Sequence, residues 1–213
     1  LGNAYVRMGE YESARKVFEE GLEYSFTHGV PAVAKYPDHG GLYVTQEKYP
    51  EALAIFRKGL LRPGIPEDDV IFNKLSLAEC LAKMGAFDEA LSVNRGAEIQ
   101  INQPLSMPEA IRKLPEFKRY LYENYAIIHA SRKEWPQALL WYQRGLDTIL
   151  AYASGSDREA GIFRVEIGNI YLKMNRPDAA LLSFHKALEA VLPTFRASVE
   201  HIPNPESFTA ENV

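Results

Sequence analysis

The chain has 213 residues, 46% of them apolar and 24% charged, and its 24 basic against 28 acidic side chains give a net charge of −4. Such a balance supports a sizeable core, excludes a disordered or collagen-like chain, and argues against a general nucleic-acid or anionic-membrane surface, which needs a basic excess. A single cysteine, Cys80, rules out an intrachain disulfide framework and a Cys-rich zinc site.

Along the chain, five segments repeat one pattern, centred on Ala14, Ala52, Ala90, Ala138 and Ala180. Twelve residues before these anchors stand Gly2, Gly40, Ala78, Ala126 and Gly168, and seven after them stand Gly21, Gly59, Ala97, Gly145 and Ala187. Phe18, Phe56, Asn94, Tyr142 and Phe184 lie four residues after, and Tyr5, Tyr43, Leu81, His129 and Tyr171 nine before. Gly within a helix costs about 1 kcal/mol relative to Ala. Its recurrence therefore predicts close backbone approach between paired helices, with the aromatic residue filling the wedge between neighbouring pairs.

Pro50, Pro136 and Pro177 fall just before three anchors, where the first turn of a helix tolerates a missing N–H. In the last unit Ala180, Leu181, Phe184, Ala187, Leu188 and Val191 share one helical face, which predicts a single buried stripe. Pro37-Asp38-His39-Gly40-Gly41 predicts a short, Gly-rich first helix in the second unit. The longest anchor spacing, 48 residues from Ala90 to Ala138, contains an insertion with a short extra helix expected near Pro108 to Leu114. The expected units are 1–27, 33–64, 71–102, 118–151 and 161–193, with the insertion at 103–117 and a helical extension and linker at 194–213.

The five aligned segments resemble the tetratricopeptide repeat, a helix-turn-helix unit with small residues where its helices cross. The resemblance implies an all-α fold, an α-solenoid of about five repeats forming a right-handed superhelix whose concave wall is lined by first helices. It implies groove positions at Asn3 and Arg7; Gly41 and Thr45; Phe72, Leu75, Glu79 and Lys83; Tyr120, Glu123, Ile127 and Ser131; and Ile162, Val165, Asn169 and Lys173, with Phe72 and Tyr120 as exposed aromatics. A peptide or helix of a protein partner suits this mixed wall. The clamp that related domains use on acidic chaperone tails is broken here: Asn3 fits one slot, but Asp38, Phe72 and Ser76 occupy later ones.

Catalytic signals are poor. Cys80 and His129 each fall at or beside an apolar repeat slot and are expected to pack in the core, and the other histidines lack ligand spacing. No phosphate-binding glycine loop or nucleophile elbow occurs. The expectation is a non-enzymatic scaffold with no catalytic, metal or cofactor residues, whose oligomeric state is open. Trp135 matches Tyr11, Tyr49 and Phe87 as packing, whereas Trp141 lies off the pattern and is expected to be partly exposed. A nucleic-acid-binding repeat is the alternative for Arg112, Lys113, Lys118 and Arg119, which otherwise form a solvated helix face.

The start, Leu1-Gly2-Asn3, lacks a leader pattern, and no run of apolar residues reaches membrane-spanning length. A cytoplasmic piece of a longer protein is expected. The Asn204-Pro205 linker and Ala210-Glu211-Asn212-Val213 are similar to the region preceding the caspase-like domain of bacterial tetratricopeptide–CHAT proteins. That resemblance implies a regulatory part of a protease whose catalytic domain lies outside these residues.

Overall fold

A computed structural model describes residues 1–28, 36–152 and 157–192; the linker expected at 194–213 lies outside them. Among the described residues the regular structure is α-helical, with no strand. The helices are α1 (Gly2–Met8), α2 (Tyr11–His28), α3 (Tyr36–Thr45), α4 (Tyr49–Leu61), α5 (Glu67–Lys83), α6 (Phe87–Ile101), α7 (Pro108–Arg112), α8 (Leu114–Ser131), α9 (Trp135–Ala151), α10 (Asp157–Lys173) and α11 (Pro177–Val191). They form two compact units, Leu1–Phe117 and a second beginning at Lys118. The short α3 and the small helix α7 stand where the Gly-rich stretch and the insertion predict them.

One turn recurs in all five pairs. The residue five before each anchor adopts positive φ: Gly9 (76°), Glu47 (58°), Gly85 (81°), Lys133 (62°) and Asn175 (57°). The next backbone N–H then reaches back to a first-helix carbonyl: Glu10 to Tyr5, Lys48 to Tyr43, Ala86 to Leu81, Glu134 to His129 and Arg176 to Tyr171, each at 2.9 Å. This left-handed cap satisfies carbonyls that the helix end leaves unpaired. The carbonyl of that same residue accepts the anchor N–H (Glu10 from Ala14 at 3.0 Å, Arg176 from Ala180 at 3.1 Å), so the second helix starts at once.

The small residues make room for rings at the helix crossings. A Cβ added at Gly2, Gly40 or Gly168 would overlap the ring of Phe18, Phe56 or Phe184 of the same pair. The aromatic ring thus fills the space that the missing Cβ leaves within a pair, and it also reaches the next pair, as expected: Phe18 stacks on His39 at 5.8 Å and Tyr142 meets Phe163 edge-on at 6.0 Å. The position seven after the anchor carries a contact to the next pair: a Cβ at Gly59 would meet Asn73 of α5 as well as Tyr36 of its own pair, and one at Gly145 would enter the ring of Phe163 of α10.

Two apolar clusters illustrate the result. Ala14, Phe18 and Leu42 are buried together in the first unit, with Tyr5, Val6, Tyr11 and Leu22 packed around them. In the second unit Ala126, Ala138, Tyr142, Ile149, Ala160, Phe163, Ile167 and Ile170 form a core spanning α8, α9 and α10. The stripe expected along α11 divides. Ala180 and Ala187 are buried, but Leu181, Leu188 and Val191 are about half exposed.

Candidate peptide-binding face

The expected groove residues of the first unit come from α1, α3 and α5. Asn3 and Arg7 are exposed on α1. Asn3 Nδ2 donates to Asp38 Oδ1 at 3.1 Å, so the two residues tested as separate clamp slots satisfy each other. Further along, Gly41, Val44 and Thr45 of α3 face Ser76, Glu79 and Lys83 of α5 across a recess of about 270 Å³, with buried Phe56 of α4 also lining it. The recess exists because its wall residues are small: nothing lies within 4 Å of where a Cβ at Gly41 would stand.

The recess has polar and apolar surfaces. Glu79 and Lys83 pair at 3.0 Å one helical turn apart. Burial alone would lower the Lys83 pKa, but the Glu79 carboxylate outweighs it and holds the ammonium above its usual range. Thr45 Oγ1 donates to the Gly41 carbonyl at 2.9 Å, which fixes the hydroxyl at the rim.

Phe72 is not the open aromatic that the spacing predicts. It is half-buried, meeting the Phe117 ring edge-on with centroids 4.9 Å apart and Lys113 Nζ 5.7 Å from its own centroid. Leu75 is buried. For Phe72 the cause is the insertion, which packs on α5. Lys113 Nζ pairs with buried Asp68 at 2.7 Å and with Glu109 at 3.0 Å. The Glu67 carboxylate accepts from the Ser106 and Met107 backbone N–H groups at 3.0 and 3.4 Å, at the start of α7.

In the second unit, Tyr120 is also half-buried, with the Arg119 guanidinium 3.8 Å from its ring centroid. Arg119 pairs with Glu123 at 3.2 Å and approaches Glu159 at 3.9 Å. Ile127 is half-buried and Ser131 exposed on α8, while Ile162, Val165, Asn169 and Lys173 are all exposed on α10. Their spacing puts these four on one side of the helix.

The basic residues weighed for nucleic acid are largely spent on neighbouring carboxylates. Arg112 pairs with Glu109 at 2.7 Å, and Lys113 and Arg119 have the partners just described. Cys80 is buried, its Sγ donates to the Tyr49 carbonyl at 3.7 Å, and burial pushes its pKa up to about 11. A thiol in that state is a poor nucleophile. His129 departs from its expected core position: it is half-buried, with Nδ1 2.5 Å from Glu134 Oε2 just before α9. Among the described residues, no group of three His, Cys, Asp or Glu side chains is placed to hold a metal, and no helix is long and apolar enough to cross a membrane.

Two features escaped the sequence reading. Trp141 stacks against Tyr122 and Tyr125, with centroids 5.6 and 4.5 Å away, and Arg144 lies 4.6 Å from its ring. A second recess of about 810 Å³ lies between α2 and α4, lined by Leu22, Phe26, His39, Ile55, Leu61 and Arg62 among others. His39 is 3% exposed, and neither ring nitrogen has a hydrogen-bond partner. The signal was a histidine thirteen residues before the anchor, where later units carry Leu77, Tyr125 and Ile167.

The tetratricopeptide repeat model matches residues 1–28 and 163–190, the first and last helical pairs. A comparison with curated protein sequences gave no match. Among solved structures, the crystal structure of BtubC (BKLC) from P. vanneervenii is similar with a TM-score of 0.63 and 17% identity, over 96% of this chain and 81% of that one. This likeness concerns the fold alone, and neither match bears on a CHAT-type protease. The family matches at both ends, the recurring left-handed cap and the anchor ladder together support an array of tetratricopeptide repeats.

Proposed function

We propose that the chain is a non-enzymatic interaction module, the partner-holding part of a larger protein, which takes an extended peptide or helix of a protein partner on its first-helix face. Tetratricopeptide repeats generally serve protein–protein interaction, and helical repeats present such faces as extended surfaces. The observation that carries the reading is the α3–α5 recess. The same two repeat positions in successive units, Gly41 with Thr45 and Glu79 with Lys83, line one concavity. Its apolar lining from Val44 and Phe56 takes a small side chain, while the Glu79–Lys83 pair and the Thr45 hydroxyl hold peptide polar groups at the rim. On the second unit, Tyr120, Glu123, Ile127, Asn169 and Lys173 are the matching contacts.

The test is a random-peptide selection on the full chain, followed by titration of the selected peptides against Gly41→Trp and Lys83→Glu. Both variants should keep the helical circular-dichroism spectrum and weaken binding by about ten-fold or more, a loss of roughly 1.4 kcal/mol. Unchanged affinity for both would remove the recess from the binding site. Unchanged affinity for the triple variant Tyr120→Ala, Glu123→Ala, Asn169→Ala would remove the second unit's face.

A further inference from the structure

The recess between α2 and α4 has a chemistry of its own. Its volume, about 810 Å³, lies in the range of small-molecule sites. Leu22 and Phe26 of α2 and Ile55 and Leu61 of α4 make its walls apolar. The charged side chains lining it do not balance. Glu19 pairs with Arg15 at 3.0 Å and Arg57 with Glu89 at 2.7 Å, and both of these partners lie outside the lining. Lys58 on α4 and Arg62 just beyond its end are left against Glu23, a net positive charge. Among the described residues, Arg62 donates to the Tyr36 hydroxyl at 3.5 Å and lies 5.2 Å from the Phe26 ring centroid, and neither Lys58 nor Arg62 pairs with a carboxylate. Residues 29–35, which join α2 to α3, contain no acidic side chain that could serve them.

His39 of α3 is a second and independent sign. It lines the recess at 3% exposure, its ring lies against Phe18 and Tyr43, and neither nitrogen has a hydrogen-bond partner. Buried polar atoms left unserved are costly, and a ligand group that pairs with one removes that cost. We propose that the α2–α4 recess binds a small amphipathic carboxylic acid, with its apolar body along Leu22, Phe26 and Ile55 and its carboxylate held by Lys58, Arg62 and the His39 N–H. A carboxylate offers two oxygens and about four lone-pair sites, enough for these donors, and its hydrogen bonds to cations are the strong kind. A monoanion matches the single net positive charge, whereas an amine would meet two cations. His39 gives up no other partner to bind it. This site is separate from the α3–α5 recess, and either can fail without the other.

The probe is naphthylacetate, titrated into the full isotope-labelled chain and followed by amide chemical shifts. Saturable binding is expected, with shifts gathered on Leu22, Phe26, Ile55 and Leu61. Affinity should fall about ten-fold or more for the uncharged naphthylacetamide, for the double variant Lys58→Gln, Arg62→Gln, and for His39→Phe, which keeps a ring and removes both nitrogens. Lys58 is exposed and Arg62 half-buried, so the double variant should fold, and circular dichroism checks both proteins. Absent saturable binding overturns the inference, and is the result expected if residues 29–35 fill the recess. So does equal affinity for the acid and its amide, or unchanged affinity in either variant. Naphthyl phosphate binding more tightly than the acid overturns the assignment of a carboxylate.

Discussion

At two equivalent crossings the first unit uses a polar side chain where the second uses a ring, although Gly2 and Gly40 of the first unit still meet the Phe18 and Phe56 rings. Where Gly59 faces the amide of Asn73, Gly145 faces the ring of Phe163; where Ala78 is followed at the aromatic position by Asn94, Ala126 is followed by Tyr142. Buried polar side chains follow this split. Among the described residues, Ser25, His39, Asp68, Asp69, Asn73 and Asn94 lie in the first unit, against Asn124 in the second. The backbone frame of turn and anchor is common to both, so the ladder specifies how the helices cross while leaving open what fills the crossing. The first unit accepts a polar filling, and with it an insertion tied down by Lys113 and Asp68.

Substitutions that attack the shared frame should have the largest effects. Gly168→Val drives side-chain atoms into the Phe184 ring and should cost about 3 kcal/mol, read as a fall in the denaturation midpoint. Ala126→Val, where a Cβ is already accommodated, should cost less. Equal losses would show that the Gly–Phe pairs are not special. Next in size is Lys113→Met, which removes the ammonium facing buried Asp68. It should cost the first unit about 2 kcal/mol, seen as earlier unfolding of that unit by hydrogen exchange with the second unchanged.

At the turns, Lys133→Gly relieves a left-handed conformation that a side chain disfavours and should gain up to about 1 kcal/mol. The reverse change, Gly85→Ala, should lose a similar amount. A smaller effect separates the units by pH. Burial lowers the His39 pKa against the raising influence of Glu19 on α2, and Lys58 on α4 and Arg15 on α2 lower it further. The folded state therefore holds His39 neutral while the unfolded chain takes up a proton near its ordinary pKa of about 6.5. Stability of the first unit should be full above that pH and fall as the pH drops below it. His39→Phe should flatten the dependence, and a slope that persists in the variant would assign it to other groups. Finally, Cys80 should react with a thiol reagent at neutral pH only on unfolding; rapid native labelling would contradict its burial.

Much of the frame was legible because it depends on residue size at fixed spacing. Gly2, Gly40 and Gly168 with their phenylalanines announce the helix crossings, and Gly9 and Gly85 mark two of the five left-handed turns. Glu47 and Lys133 hide two more, since backbone geometry there is imposed by the flanking helices against the preference of the residue, while Asn175 is a residue that adopts the left-handed region readily and is the weaker signal. The site was less legible. Phe72 and Tyr120 occupy groove positions in the repeat, but Phe117 with Lys113 covers one and Arg119 the other, and spacing alone carries no such tertiary contact. Leu181 and Leu188 failed in the opposite sense. An amphipathic stripe shows which face wants burial, and whether another helix covers it is decided elsewhere.

The central claim is that a partner segment is held on the first-helix face, and amide chemical-shift mapping of a selected peptide on the isotope-labelled chain tests it most directly. Shifts concentrated on Gly41, Val44, Thr45, Ser76, Glu79 and Lys83 are predicted. Shifts that leave these residues unmoved and gather instead on α2 and α4, around Leu22, Phe26, Ile55 and Leu61, would contradict it.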